Sequence, residues 1–207
     1  MSNSPVPIQC ANPTCLHPAN VVGQTLCDRC QIPLVYRYLW AVGQGAAQIP
    51  ADTLVADRYL VKSPQIWLDT QPGILATVPT TLPDALLPYL HLYPERLHLP
   101  ELYGLCDTEA GAIVLLNNVP IDAAGQPFAA LDTAWTTVPP ARQVYWLWQL
   151  LHLWSPLKQQ GVAMSLLIPE NVRVEGWRVR LQELLPDWQP GGLQPLQSDA
   201  AIDPVTP

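Results

Sequence analysis

The sequence predicts an α+β fold, with a small cysteine-bearing unit at the N-terminus and a larger mixed domain behind it. Three observations point there. Four of the five cysteines lie within residues 10–30. Short β-prone segments alternate with proline-rich connections between residues 34 and 116. One long stretch, Ala141 to Gln160, repeats apolar residues at three- and four-residue steps, the period of a helix.

The first unit spans residues 1–50. A short polar lead over residues 1–7 precedes the cysteine cluster, which has little regular apolar period. Leu34 to Trp40 is β-prone, and Gly43, Gly45 and Pro50 then read as a linker. The second unit spans residues 51–186. Arg58–Lys62 and Gln65–Asp69 read as two short strands around Ser63-Pro64. Thr70 to Pro83 is a Pro/Thr-rich loop, and Pro83 to Leu87 can open a helix with proline in its first turn. Pro88 to Pro100 holds three prolines and cannot be one regular helix. Ala112 to Leu116 is continuously apolar, as in a strand buried on both faces. In the long helix, Val144, Leu147, Trp148, Leu151 and Trp154 form one stripe, expected to face the core. Pro156 should kink that helix or break it after Trp154, and Gly161 is its natural end. Asn171–Val174 and Arg178–Leu181 read as a hairpin turning at Glu175-Gly176. Residues 187–207 have the composition of a flexible tail.

Composition narrows the function. The 207 residues are 49% hydrophobic and 13% charged, with 24 prolines, so the chain can bury a core but is rich in loops. A net charge of −7 repels phosphate backbones, and no nucleic-acid partner is expected. Arg173, Arg178 and Arg180 are the one basic cluster, read as a solvated hairpin face. No apolar run approaches membrane-spanning length, and the N-terminus reads as neither leader nor anchor. A cytoplasmic protein without a membrane partner is expected.

The cysteines follow the spacing Cys10-x4-Cys15, eleven residues, then Cys27-x2-Cys30. Zinc takes four tetrahedral ligands, and thiolates a few residues apart on one turn can share an ion. So short a segment cannot bury enough apolar area to fold alone, and the metal would supply that free energy. One structural zinc is therefore expected. Two disulfides or free thiols are the alternatives, and a reducing compartment disfavours the former. Catalytic zinc is disfavoured because four thiolates leave no position for water. His17 could stand in for Cys15 but reads as a surface residue. Cys106 reads as a small buried hydrophobe.

The pattern Cys10-Ala11-Asn12-Pro13-Thr14-Cys15, followed by Cys27-Asp28-Arg29-Cys30, resembles the four-cysteine-prefix zinc ribbon. That ribbon precedes kinase or phosphatase regions in cyanobacterial signalling proteins. Gln31 stands where such knuckles usually carry glycine. Residues from Arg58 to Leu185 resemble a truncated, degenerate protein-kinase-like α+β domain. Ala163 to Asn171, AMSLLIPEN, is similar to the kinase catalytic loop HRDLKPEN.

The resemblance implies a fold but not the chemistry. Leu166 occupies the position of the catalytic aspartate and cannot accept a proton. Asn171 is retained, and Glu183 falls near the magnesium-binding aspartate. Both are read as structural, Asn171 through side-chain to backbone bonds. No glycine-rich loop, no phosphate-binding lysine in a Val-Ala-Ile-Lys context and no Ala-Pro-Glu motif occurs. The expectation is a non-enzymatic regulatory module, part of or partner to a type-2C serine/threonine phosphatase signalling protein. The alternatives are a fragment of an active phosphatase or divergent kinase, a nucleic-acid-binding zinc ribbon, and a structural subunit. Trp146, Trp177 and Trp188 are the expected contacts for a protein partner, and Trp148 and Trp154 the expected core.

Overall fold

A computed structural model describes residues 6–77, 81–108 and 111–188. The tail expected over 187–207 lies outside these residues from 189 onward, as do residues 1–5 of the lead and 78–80 of the Thr70–Pro83 loop. Mixed helix and antiparallel sheet make an α+β chain.

Strands β1 (Pro7–Ile8) and β2 (Asn20–Val21) pair antiparallel and open the N-terminal ribbon. Its interior is small: Ile8, Cys10, Cys27 and Leu34 are its buried apolar residues. Six further strands form one antiparallel sheet: β3 (Arg37–Val42), β4 (Leu54–Val55), β5 (Tyr59–Ser63), β6 (Ile66–Asp69), β7 (Glu101–Thr108) and β8 (Gly111–Asn117). Their order is β4-β5-β6-β3-β8-β7. The sequence places residues 37–42 in the first unit, yet β3 lies inside this sheet, between β6 and β8. Residues 37–42 of the first unit thus pair with strands of the second. The β-prone signal at Leu34–Trp40 was real, but nothing local shows which partners a strand will find.

Side chains alternate across the sheet. Leu39, Ala41, Val61, Trp67, Ile113 and Leu115 face one core. Trp40, Val42, Val114 and Leu116 face another, built with the helices. Strand β8 is thus apolar from Ile113 to Leu116, where both its faces are covered. The sheet is curled. Asp69 on β6 and Tyr103 on β7 are three strands apart, about 14 Å on a flat sheet. Even so, Tyr103 Oη donates to Asp69 Oδ2 at 2.5 Å. A register shift between Leu102 and Gly104 bends β7 toward this contact.

The second layer holds α1 (Leu87–His91), α2 (Leu131–Trp135), α3 (Pro140–Gln159) and a hairpin of β9 (Val172–Glu175) and β10 (Arg178–Leu181). Helix α3 runs through Pro156 without the expected break. The proline lies in the last turn, where only one backbone bond is lost.

The buried face of α3 is the opposite of the one expected. Trp146, Gln149, Leu153 and Leu157 are buried, whereas Val144, Leu147, Trp148, Leu151 and Trp154 are exposed. Trp146, expected at an interface, is 1% exposed and packs in the main core against Trp135. The physical reason is Gln149. Its Oε1 accepts from the Val179 N–H at 3.0 Å and its Nε2 donates to the Trp177 carbonyl at 2.8 Å. A polar side chain that satisfies the edge of β10 belongs inside, although its type reads as outward. Both sides of α3 are apolar, so periodicity alone could not choose between them.

Candidate metal centre

The ribbon brings Cys10, Cys15, Cys27 and Cys30 together, with their sulfurs all within 4.8 Å of one another. Two local turns do this. In the first, the N–H groups of Cys15 and Leu16 bond the Asn12 carbonyl at 3.0 and 2.9 Å, and the Cys10 N–H bonds the His17 carbonyl. In the second, the Gln31 N–H returns to the Cys27 carbonyl at 2.9 Å. Leu16 and Gln31, each directly after the last cysteine of its turn, both have positive φ, at 44° and 59°. Glycine adopts that conformation freely, whereas a side chain there costs roughly 1 kcal/mol. Gln31 thus holds, under strain, the conformation usually left to glycine.

Asn20, fully buried, locks the two turns to each other. Its Nδ2 donates to the carbonyls of Ile8 and His17, and its Oδ1 accepts from the Asp28 N–H at 2.9 Å. No sequence signal marked this residue. The cluster consists of the four cysteines, without His17.

The donor set fits a closed tetrahedral ion. Zn–S bonds of about 2.3 Å give a tetrahedral edge of about 3.8 Å. The Cys10–Cys30 and Cys15–Cys27 sulfur separations are 3.6 and 3.9 Å. These exceed a disulfide bond of about 2 Å, and all five cysteines are free. Burial pushes the Cys10 thiol up to about 12. At Cys30 the backbone N–H of Ile32 outweighs burial and draws the thiol down to about 7. At Cys27 burial is outweighed by the N–H groups of Cys30 and Arg29, and the thiol is lowered.

The ribbon docks on the sheet domain through the Gln9 N–H, which bonds the Thr70 carbonyl at 2.7 Å. Gly73 packs against the Ala11 backbone, so closely that a Cβ would lie 3.1 Å from it. Behind this loop sits a charge network that the sequence did not reveal. Asp69 is fully buried, and Arg58 donates to both its oxygens at 2.9 Å. Arg37 and Arg58 both donate to the Tyr103 hydroxyl. The same arginines hold the carbonyls of Pro72 and Ile74.

Leu166, Asn171 and Glu183 are tied into the framework. Leu166 ends a 3-10 turn, Ala163–Leu166, and packs on the main core. Asn171 is buried. Its Nδ2 donates to the carbonyls of Ser165 and Glu183, and its Oδ1 accepts from the Glu183 N–H at 3.0 Å. Burial raises the Glu183 carboxyl, and the adjacent Trp40 indole only partly offsets this. Arg173 bonds Gln182, and Arg180 bonds Glu175 and Asn118, so most of the basic cluster is spent internally. Trp177 and Trp188 are exposed. Cys106 is buried in the sheet core. Among the described residues, no helix is long and apolar enough to cross a membrane.

No protein-family profile, curated protein or solved structure matches the chain.

Proposed function

We propose that the chain is a non-catalytic regulatory module stapled by one structural zinc. In this reading Cys10, Cys15, Cys27 and Cys30 hold the ion, and the kinase-like region has kept a framework without the chemistry. The observation that carries it is the four-sulfur cluster at tetrahedral spacing. A ribbon interior of so few apolar side chains supports a metal as the source of its folding free energy. The role of the ion is structural, because four thiolates fill its coordination sphere.

The non-catalytic part rests on residue types. Leu166 offers no base, and the polar atoms of Asn171 are engaged by backbone. The resemblance of the cysteine pattern supports a position for such a module beside, or within, a type-2C serine/threonine phosphatase signalling protein. Its partner is then a phosphatase domain or another protein, and its compartment the cytoplasm.

The test is native mass spectrometry together with a nucleotide-binding assay. One zinc per chain and no heat release on titration with magnesium-ATP are expected. A metal-free folded chain would sink the zinc reading. Saturable magnesium-ATP binding would shift the reading toward a divergent kinase.

A further inference from the structure

We propose that α3 is a dimerisation helix whose exposed apolar seam is covered by the same seam of a second copy of this chain. Val144, Leu147, Leu151 and Trp154 lie on one side of α3 and are between 43% and 76% exposed. Their spacing is three, four and three residues, the a-d-a-d repeat with which one helix packs on another. The core beneath is already filled from the opposite side of the helix, by Trp146, Leu153 and Leu157. The seam is therefore surplus to folding this chain.

Area and charge both fit a second copy. Aromatic residues flank the seam in a stacked ladder. Tyr145 and Trp148 stack at 5.6 Å, Trp148 and His152 at 5.2 Å, and Trp177 meets Tyr145 edge-on at 6.0 Å. The four seam residues expose roughly 400 Å², a patch of the size that marks interaction sites on monomers, and the aromatics form its rim. From Gln143 to Leu157 the helix carries no Asp, Glu, Lys or Arg. Pairing it with itself therefore buries no formal charge.

The order of side-chain sizes sets the direction. In an antiparallel two-fold pair the helices cross at the midpoint of the seam. The smallest side chain, Val144, then faces the partner subunit's Trp154, the largest, and Leu147 faces the partner subunit's Leu151. Small against large and equal against equal give complementary packing. The ends stay compatible too, because Lys158 falls opposite the partner subunit's Pro140 and not opposite another cation. Such a contact is isologous and closes at two chains.

The experiment is light scattering coupled to size exclusion on the zinc-loaded full chain, over a dilution series. Twice the chain mass is expected at micromolar concentration. Leu151→Glu should lose the dimer. Leu75→Glu, at a site 93% exposed in the loop after β6, should keep it. Both sites are exposed, so far-UV circular dichroism should not change. Leu147→Lys alone should also lose the dimer, and combining it with Leu151→Glu should restore it, because antiparallel pairing sets the new opposite charges face to face. A wild type that is monomeric at every concentration, or a dimer that survives Leu151→Glu, overturns the proposal. A combined variant that stays monomeric overturns the antiparallel register. Zinc content is unaffected by these variants, so failure here leaves the metal reading standing.

Discussion

Asp69→Ala removes the carboxylate on which the curled sheet converges. The side chain is fully buried, and its partner Arg58 has only 12% of its side chain in solvent, so little screening softens the loss. Breaking a buried ion pair from one side costs about 3–5 kcal/mol. Arg58 keeps the carbonyls of Gln71 and Ile74, which places this variant near the low end, about 3 kcal/mol. Arg58→Ala loses those carbonyl bonds as well and should cost about 4 kcal/mol. If the two act as a unit, the double variant costs about 5 kcal/mol rather than 7, a coupling of about 2 kcal/mol. Urea unfolding followed by far-UV circular dichroism, on all four chains of the cycle, measures it. Additivity within about 0.5 kcal/mol would refute the claim that Asp69 and Arg58 act as a unit.

Three further outcomes follow from other parts of the molecule. Gln149→Leu strands the Val179 N–H and should destabilise by about 2 kcal/mol, whereas Trp148→Ala, on the exposed face, should cost under about 1 kcal/mol; chemical denaturation separates them. Gln31→Gly relieves a left-handed residue and should raise stability by about 0.5–1 kcal/mol, read as a higher melting temperature of the zinc-loaded chain. The third concerns pH. Burial raises the Glu183 carboxyl, so the folded state holds this proton more tightly than the unfolded state. Its contribution is favourable below the ordinary glutamate range and is lost as pH rises through the elevated folded value. Glu183→Gln should therefore stabilise at neutral pH and do nothing in acid. Melting curves across that window test this, and an equal gain at both ends would reject it.

Much of the secondary structure was legible because local chemistry decided it. Tyr59–Ser63 and Ile66–Asp69 formed where β-branched and aromatic residues met a turn, and the hairpin closed at Glu175-Gly176. The cysteine cluster was legible because two pairs of cysteines, each spaced to share one short turn, can converge, and the four sulfurs do lie together. Strand β7 escaped notice: Gly104 and the charged ends of Glu101–Thr108 hide its pattern, and its pairing with β8 is what makes it a strand. The orientation of α3 was misread because an inward glutamine and an outward tryptophan stripe invert the usual sorting. Asn20 and Asp69 were invisible as organisers, since an isolated polar residue carries no sign of the backbone or arginine it will meet in the fold.

Strand β3 leaves the ribbon and enters the middle of the sheet, yet its neighbours Ile66–Asp69 and Val114–Leu116 come much later in the chain. During vectorial synthesis this strand therefore emerges with both of its edges open, the state most prone to pair with a neighbouring chain. The ribbon closes within residues 6–36, so it can form long before β8 leaves the ribosome, but it covers neither edge of β3. Aggregation during synthesis is then decided by how soon Ile66–Asp69 arrives to pair with the first of those edges.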